Sequence, residues 1–364
     1  MKVKDITKTL QQWAPLSFQE DYDNSGLLVG SPDQPVQSVL ITLDVTEEIM
    51  HEAISSQTNL IIAHHPLIFK GVKKINNSHW VDRCIYLAIR HDIAIYAIHT
   101  NLDNVGSGVN HKIAQILGLI DLKILSPRQN TLSKLVTFVP KDHAKKVLDA
   151  LYQAGAGTIG NYDHCSFTTD GTGTFRPNEK ADPYLGQAHV DESVNENRIE
   201  ILFPTHLQNT VISSLHQSHP YEEVAYYLTP LANAHQEVGS GMTGQLPTPV
   251  AASEFLLHLK KKMNVSVIRH TRLCRPTIQK VALCGGSGSF LLSKAIAAEA
   301  DIFITGDFKY HDFFEADNQI IIADIGHYES EAFTKELLYD FLREKFANIA
   351  VRLSEVNTNP IIYL

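Results

Sequence analysis

The chain has 364 residues, of which 44% are hydrophobic and 20% are charged, and this composition excludes a disordered chain. The formal net charge of -9 argues against a nucleic-acid-binding surface, because phosphate binding needs a basic patch. The four cysteines form no C-x-x-C pair, and no apolar run is long enough for a signal peptide or a membrane span, so we expect a cytoplasmic protein that contacts no membrane.

The first 126 residues alternate between predicted helices and predicted strands. Helices are predicted over 3–12, 47–55, 79–91 and 109–117, and strands over 39–44, 60–65 and 93–100. Apolar runs of this length between helices are typical of parallel strands that are joined by crossover helices. Residues 1–126 are therefore predicted to form an αβ half of an α/β domain.

Residues 127–236 follow a different pattern. Strands and helices are predicted in the order β-α-β-β-α-β, from LSKLVTFVP at the start to EEVAYYLTP near the end. This order is that of a ferredoxin-like module. Pro127, Pro230 and the Gly-rich stretch 237–244 mark its edges. We therefore expect an inserted α+β domain here.

Residues 237–364 return to the rhythm of the first segment. Strands are predicted at 281–286, 301–307 and 320–325, and helices over FLLSKAIAAEA, 309–315 and 329–346. We expect residues 1–126 and 237–364 to be two related αβ halves of one layered domain. An insertion between them leaves the halves distant in sequence but able to share one core.

Two adjacent His residues, His64 and His65, end the strand predicted over 60–65. The carboxyl end of a strand in an open α/β sheet faces the crevice where ligands bind. Successive strand residues point to opposite faces, so both His can meet one site only if the backbone turns there, which Pro66 favours. The pair fits two metal ligands, or one ligand and one structural His.

Two further pairs combine His with a carboxylate. His99 and Asp103 follow the strand predicted over 93–100. Asp103 either ligates a metal or caps the next helix. His99 is a metal ligand, a hydrogen-bond partner of a ligand or an acid/base. His327 and Glu331 are four residues apart at the start of a predicted helix, so they share one helical face, as in helical metal motifs. The alternative is a polar helix start that complements the helix dipole.

The three pairs together favour a metal site. His64, His65, Asp103, His327 and Glu331 offer five ligands, whereas one catalytic metal usually takes three from the protein. Five ligands with a bridging carboxylate suit two metals about 3.5–4 Å apart. We therefore predict two divalent metal ions per chain. Imidazole and carboxylate ligands suit Zn, Fe, Mn, Co or Ni better than Mg or Ca, and Zn, Fe or Mn are the first choices.

The loop ITGDFKYHD carries candidate substrate-binding and proton-transfer residues. Asp307, Lys309, Tyr310 and His311 follow a predicted strand, where they bind substrate phosphate, move protons or cap a helix. We take His311, together with His99, as a candidate for proton transfer. Asp307, Lys309 and Tyr310 are candidates for substrate binding.

The loop CGGSGS, which contains Gly286 and Ser287, joins a predicted strand to a predicted helix. Backbone N–H groups in such a loop can cradle an anion at a helix N-terminus. The loop lacks the full pattern of a nucleotide-binding motif, so a tight structural turn is an equal alternative. Gly286 and Ser287 are therefore candidates for substrate binding.

The motifs DNSGLLVG, AHHPLIF, HTNLDNVGSGVN, CGGSGS, TGDFKYHD and HYESE together resemble those of a known family. It is the family of dinuclear-metal-centre hexameric proteins, also called the NIF-three or GTP cyclohydrolase type-two homologue family. On this resemblance, the family's metal ligands map onto His64, His65, Asp103, His327 and Glu331. The resemblance also implies a toroidal homohexamer, and an insert similar to the CutA and PII folds in the middle segment.

The resemblance implies a function as well. Hydrolysis of GTP is the activity attached to some members, so a metal-dependent hydrolase that acts on a nucleotide or phosphoester is expected. The alternative is a non-enzymatic metal-handling protein or regulatory adaptor. Solvent access to the metals distinguishes the two, because an enzyme needs an open coordination position.

Overall fold

The computed structural model describes residues Met1–Leu364 and divides them into two units. The first unit combines Met1–Ser126 with Glu237–Leu364, and the second is Pro127–Gln236. None of the helices has the length and apolar character needed to cross a bilayer.

The helices and strands are numbered in chain order. The α-helices are α1 (Val3–Trp13), α2 (Glu47–Ser55), α3 (Trp80–Arg90), α4 (Thr100–Asp103), α5 (Val109–Leu117), α6 (Ala144–Gln153), α7 (Gln208–Ser218), α8 (Ala252–Lys262), α9 (Leu292–Ala297), α10 (His327–Glu331) and α11 (Thr334–Lys345). The strands are β1 (Gly26–Val29), β2 (Ser38–Thr42), β3 (Leu60–Ala63), β4 (Ala94–Ala97), β5 (Ile120–Arg128), β6 (Leu132–Pro140), β7 (Ser166–Phe175), β8 (Glu192–Pro204), β9 (Tyr226–Leu231), β10 (His235–Ala251), β11 (Arg269–His270), β12 (Thr277–Ser287), β13 (Ile302–Gly306), β14 (Ile321–Asp324) and β15 (Ala350–Leu353).

The first unit contains two mixed sheets. One has the order β1-β4-β3-β2-β15, in which the last four strands are parallel. The other has the order β11-β14-β13-β12-β10-β5, with β12, β13 and β14 parallel. Because β15 comes from the C-terminal segment and β5 from the N-terminal segment, each end of the chain completes the other end's sheet.

The helices of the first unit form three layers around these sheets. Four helices, α1, α5, α8 and α11, share one buried core with both sheets, so they lie between the sheets. Helices α2 and α3 cover the other face of the five-stranded sheet, and α9 covers the other face of the six-stranded sheet. Burial of this apolar surface is the main stabilising term, and it holds the two sheets in a fixed relation.

The second unit has its own core. Its elements follow the order β6-α6-β7-β8-α7-β9, and its strands form an antiparallel sheet of order β7-β8-β6-β9. Helices α6 and α7 pack on one face of this sheet, where Val147 and Val211 meet Leu135 and Ile201. The unit is an α+β module with helices on a single face.

Several details differ from the predicted elements. The helix predicted over 329–346 is two helices, α10 and α11, because the apolar periodicity continues through the break and hides it. The two strand pieces expected around NYDHCSFTT (161–169) and GTFRP (173–177) are the single strand β7, which pairs with β8 along its whole length despite Gly171 and Gly173. Strand β15 was not predicted, since it is short and only half-buried.

Candidate metal centre

The carboxyl ends of parallel strands from both sheets of the first unit meet at one site. In the five-stranded sheet, β2 ends shortly before Asp44, β3 ends directly before His64, and β4 ends shortly before His99. In the six-stranded sheet, β13 and β14 end shortly before Asp307 and His327. Open α/β sheets bind their ligands at this end of the strands, so side chains from both ends of the chain converge where a ligand is expected.

His64 and Asp103 form the buried part of the site. The fully buried His64 donates its Nδ1–H to the carbonyl oxygen of Ile98 at 2.8 Å. Its other nitrogen, Nε2, lies 3.5 Å from Asp103 Oδ1 and 3.8 Å from Glu331 Oε1. Both His64 Nε2 and Asp103 Oδ1 are buried without a hydrogen-bond partner. Buried polar atoms without partners are costly, and an ion that they coordinate would satisfy both.

His65 and His327 form the second part of the site. Glu331 Oε2 lies 2.9 Å from His65 Nε2 and 3.1 Å from His327 Nε2. The remaining ring nitrogens are held by carboxylates, since His65 Nδ1 donates to Asp44 Oδ1 and His327 Nδ1 donates to Asp307 Oδ2, each at 2.7 Å. A carboxylate on the second nitrogen is the usual means by which a metal-binding His is oriented.

Glu331 belongs to both groups. The ligand atoms of His64, Asp103 and Glu331 all lie within 4.8 Å of one another, and so do those of His65, His327 and Glu331. Glu331 is only 2% exposed, with Oε1 on the side of His64 and Oε2 against His65 and His327. These groups can hold a metal ion, and Glu331 contributes to both of them.

The electrostatics of the cluster favour positive charge at its centre. Burial raises the pKa of Asp103 to about 6. Burial opposes the charged form of His65, but its hydrogen bonds to Asp44 and Glu331 outweigh this and raise its pKa to about 10. Burial likewise opposes the charged form of His327, and its hydrogen bonds to Glu331 and Asp307 raise its pKa to about 9. The buried carboxylates and ring nitrogens thus favour the binding of a cation or of protons at the centre of the cluster.

His99 lies beside this cluster and is oriented by Asp23, which we did not single out from the sequence. His99 Nδ1 donates to Asp23 Oδ1 at 2.8 Å, and Ser25 and Thr100 donate to Asp23 Oδ2. Burial works to raise the pKa of Asp23, but the hydrogen bond from His99 helps to hold it far below its usual value. The ring of His99 lies 5.3 Å from the ring of His64, centroid to centroid.

Asp23 and Asp44 are the two site residues that sequence reasoning missed. Asp23 opens the DNSGLLVG motif, and Asp44 ends the apolar run VLITLD. Asp44 follows the apolar strand β2, as the predicted ligands follow theirs, whereas Asp23 precedes β1. Neither has a His beside it in sequence, which is the signal that marked the other residues.

The structure separates the residues of the ITGDFKYHD loop. Asp307, predicted to bind substrate, accepts a hydrogen bond from His327 and adopts a left-handed φ of 60°. Lys309, Tyr310 and His311 are exposed and do not line the cleft at the metal centre. The geometry therefore gives Asp307 a role in positioning a ring and gives the other three no contact with the centre.

The CGGSGS loop is a tight turn fitted around Glu331. The N–H of Gly286 donates to Ser330 Oγ at 2.8 Å, and the N–H of Gly285 donates to Asn110 Oδ1 at 2.9 Å. These N–H groups are therefore not free to cradle an anion. A Cβ atom on Gly286 would lie 2.3 Å from Glu331 Oε1. Ser287 is exposed and lines the cleft.

A cleft of about 550 Å³ opens onto the cluster. Its wall includes His65, Asp103, His99, His327 and Glu331, together with aromatic residues and the C-terminal segment 359–361. The groups that could hold a metal ion are therefore reachable by a small molecule, as in catalytic metal sites rather than closed structural ones.

The C-terminal segment supports the centre. Thr358 donates its hydroxyl to Asp44 Oδ2 at 2.6 Å, and Asp44 Oδ1 holds His65. Asn359 donates its side-chain N–H to Glu329 Oε1 at 3.0 Å. The last residues of the chain thus fix the carboxylate that orients one proposed ligand.

Known proteins are similar to this chain over nearly its whole length. The model of the DUF34/NIF3 (NGG1p interacting factor 3) family matches residues 1–360. A protein of Halalkalibacterium halodurans named GTP cyclohydrolase 1 type 2 homolog is 39% identical over 364 residues, covering 99% of this chain and 98% of that protein. A Bacillus subtilis protein of the same name is 36% identical over 367 residues, with the same coverage of 99% and 98%. The crystal structure of a Bacillus cereus protein related to NIF3 is similar, with a TM-score of 0.88, 37% identity and coverage of 100% of this chain and 99% of that one.

Proposed function

The chain belongs to the DUF34/NIF3 family, and on that premise we propose that it is a metal-dependent hydrolase with two divalent cations per chain. One observation carries the proposal. His64 Nε2 and Asp103 Oδ1 are buried without hydrogen-bond partners, and they face a carboxylate, Glu331, whose other oxygen contacts His65 and His327.

The donor set fits two cations. His64, Asp103 and Glu331 would hold one, and His65, His327 and Glu331 would hold the other. Imidazole and carboxylate donors suit Zn, Fe or Mn. When bound, two such cations would lower the pKa of a water molecule and polarise the centre that it attacks.

His99 is the proposed acid/base. Its Nδ1 is tied to Asp23, which fixes the tautomer and leaves Nε2 as the exchanging nitrogen, and the residue lines the cleft. An imidazole that a carboxylate orients in this way is the usual general base of hydrolytic sites. His311 is exposed and away from the cleft lining, so the proposal gives it no part in proton transfer.

A nucleotide is the proposed substrate class, with GTP first because relatives carry the name GTP cyclohydrolase 1 type 2 homolog. The cleft has room for a small molecule. Its lining includes the aromatic residues Tyr22, Phe69, Phe290 and Tyr328 but no Lys or Arg. The side chains of the cleft therefore offer ring contacts to a base and no salt bridge to a phosphate.

The alternative is a metal-handling or regulatory adaptor protein without catalysis. The open cleft favours the hydrolase, because a purely structural site would be closed.

Family membership also supports a cytoplasmic toroidal homohexamer, and a CutA- or PII-like insert agrees with the β-α-β-β-α-β order of the second unit. Sedimentation of the purified chain tests the hexamer separately.

Metal analysis followed by an activity screen tests the proposal. Protein purified without chelator or affinity metal is expected to carry about two equivalents of Zn, Fe or Mn per chain, and His65→Ala is expected to lose most of one equivalent. The loaded protein is then incubated with GTP and with phosphoesters. Product formation that requires the metal, and that is slower in His99→Ala than in the wild type, supports the hydrolase. Bound metal with no turnover of any substrate moves the assignment to the adaptor, and metal that cannot be bound at all overturns both.

A further inference from the structure

The second unit contains a cavity of about 640 Å³ on the helix-free face of its sheet. In β8, Ile199 and Ile201 are buried in the core with α6 and α7. Because side chains alternate along a strand, Glu196 and Arg198 point to the opposite face, where both line the cavity. Residues of the long β7–β8 connection, 176–191, also line it. The cavity is therefore built entirely within this unit.

A buried carboxylate forms part of the cavity wall. Glu196 is only 6% exposed although no helix covers its face of the sheet. Tyr221 donates its hydroxyl to Glu196 Oε1 at 2.8 Å, which leaves Oε2 beside Gly173. A Cβ atom on Gly173 would lie 2.1 Å from that oxygen. A glycine inside a strand marks such a close approach, so the strand is fitted to the carboxylate.

Aromatic side chains line the same cavity as this carboxylate. Tyr184 lies 6.2 Å from Tyr221, and Phe175 lies 5.9 Å from Tyr221, between ring centroids. Phe138 and Tyr227 form a further pair at 5.8 Å in the cavity wall. Tyr184 is 50% exposed and Tyr227 is 62% exposed. Large exposed rings grouped around a buried charge are more typical of a ligand site than of a bare surface.

The arginines of the cavity wall are already paired. Arg198 lies 2.8 Å from Glu200, and Arg176 donates its Nε–H to Asp191 at 2.6 Å. Neither carboxylate partner lines the cavity, so both guanidinium groups are paired with carboxylates outside the cavity wall. The other charged residues of the wall, Asp170, Glu196, Glu222 and Glu223, are all acidic, which disfavours an anionic ligand.

We propose that this cavity binds a small organic cation. An ammonium or quaternary ammonium group would lie against Glu196 and the faces of the surrounding rings, and its apolar body would fill the rest of the cavity. Cations are attracted to aromatic faces and bind best where water is excluded, and aromatic cages for ammonium groups use this attraction. The proposal is independent of the metal centre, because every residue that carries it belongs to the second unit.

Isothermal titration of the full chain with matched pairs of compounds tests the proposal. The cations are choline and 1,5-diaminopentane, and the neutral counterparts of equal shape are 3,3-dimethyl-1-butanol and 1,5-pentanediol. At least one cation is expected to bind about tenfold or more tightly than its counterpart, which is the scale of a cation–π and carboxylate contact. If neither cation binds more tightly than its neutral counterpart, the proposal is overturned.

Variants locate the binding. Glu196→Gln and Tyr184→Ala are expected to abolish the preference for the cation. Glu179→Gln and Tyr162→Ala, which change exposed residues outside the cavity wall, are expected to preserve it. Tyr184 is half exposed, so its variant keeps the test decisive if Glu196→Gln does not fold. Retained preference in both Tyr184→Ala and a folded Glu196→Gln would place the cation elsewhere and overturn the site.

Discussion

Glu331 and His65 are separated by 266 positions in the chain, yet Glu331 Oε2 lies 2.9 Å from His65 Nε2. His65 follows β3 of the five-stranded sheet, and Glu331 belongs to α10, which follows β14 of the six-stranded sheet. The contact exists only when both sheets pack on their shared helices. Formation of the centre is therefore coupled to folding of the first unit, and ligands of the centre should stabilise that unit.

Replacing the shared carboxylate should affect both proposed cations. Glu331→Gln keeps the shape of the side chain but removes the charge that both groups use, so metal content is expected to fall from about two equivalents to well below one. His327→Ala removes a ligand from one group only and is expected to keep about one equivalent. Elemental analysis of the purified variants measures this, with Glu344→Gln at an exposed position of α11 as the control. Equal losses in both variants would argue against a bridging role.

Removing the metal should lower the melting temperature. A ligand present at a thousand times its Kd stabilises the folded state by about 4 kcal/mol, which corresponds to several degrees for a unit of this size. Wild-type protein treated with chelator and then dialysed is expected to melt earlier, and added Zn or Mn should restore the original value. In Glu331→Gln, treatment with the chelator should change the melting temperature only slightly. A chelator effect of the same size in this variant would locate the stabilising metal elsewhere.

Asp44 and Thr358 are expected to tune metal affinity without touching the metal. Asp44 holds His65 Nδ1, and Thr358 donates to the other oxygen of Asp44. Asp44→Asn is expected to weaken metal binding by about 10–100-fold, as for other partners of metal-binding His, and Thr358→Val by a smaller factor. Competition with a chromogenic chelator measures the affinity, and Glu355→Gln in the same segment is the control. Unchanged affinity in Asp44→Asn would mean that His65 needs no orienting partner.

The sequence allowed the five proposed ligands to be singled out because a simple physical rule marks them. Each ligand lies at or after the end of an apolar strand. The ligands stand in the sequence as His–His or His–carboxylate pairs. Asp44 also follows an apolar strand but has no neighbouring His, and Asp23 precedes its strand, so the rule marks neither residue. Asp307 was predicted to bind substrate, because a residue pattern does not reveal that its carboxylate contacts His327.

The exchange of strands between the two ends of the chain was not predictable in the same way. Apolar periodicity identifies a strand but not the sheet that it joins. Strand β15 pairs with β2, more than 300 positions earlier in the chain, and only the shared core of the two sheets determines that pairing. The sequence pattern therefore predicts an alternation of strands and helices in each segment, but it does not predict how the two segments interlock.

Two of the four cysteines should resist thiol reagents in the folded protein. Cys84 and Cys284 are buried, whereas Cys165 and Cys274 are partly exposed. Burial raises the pKa of Cys84 to about 12 and raises that of Cys284 well above its usual value, so both remain protonated, unreactive thiols at pH 8. Alkylation at pH 8 followed by mass spectrometry is expected to label Cys165 and Cys274 first, and all four after unfolding. Rapid labelling of Cys84 in the native state would contradict its burial.

A methyl group at Gly286 should destroy the centre for a steric reason. Gly286 has a left-handed φ of 64°, and an added Cβ atom would lie 2.3 Å from Glu331 Oε1. Gly118 supplies a matched control, because it has a similar φ of 73° at the end of α5 and nothing lies within 4 Å of its added Cβ atom. Both Gly→Ala variants are expected to lose about 1 kcal/mol of stability from the backbone strain. Only Gly286→Ala is expected to lose metal as well, since its methyl group displaces the carboxylate that both groups of ligands share. Denaturant unfolding and metal analysis of the two variants separate these effects, and normal metal content in Gly286→Ala would show that Glu331 can move without cost to the site.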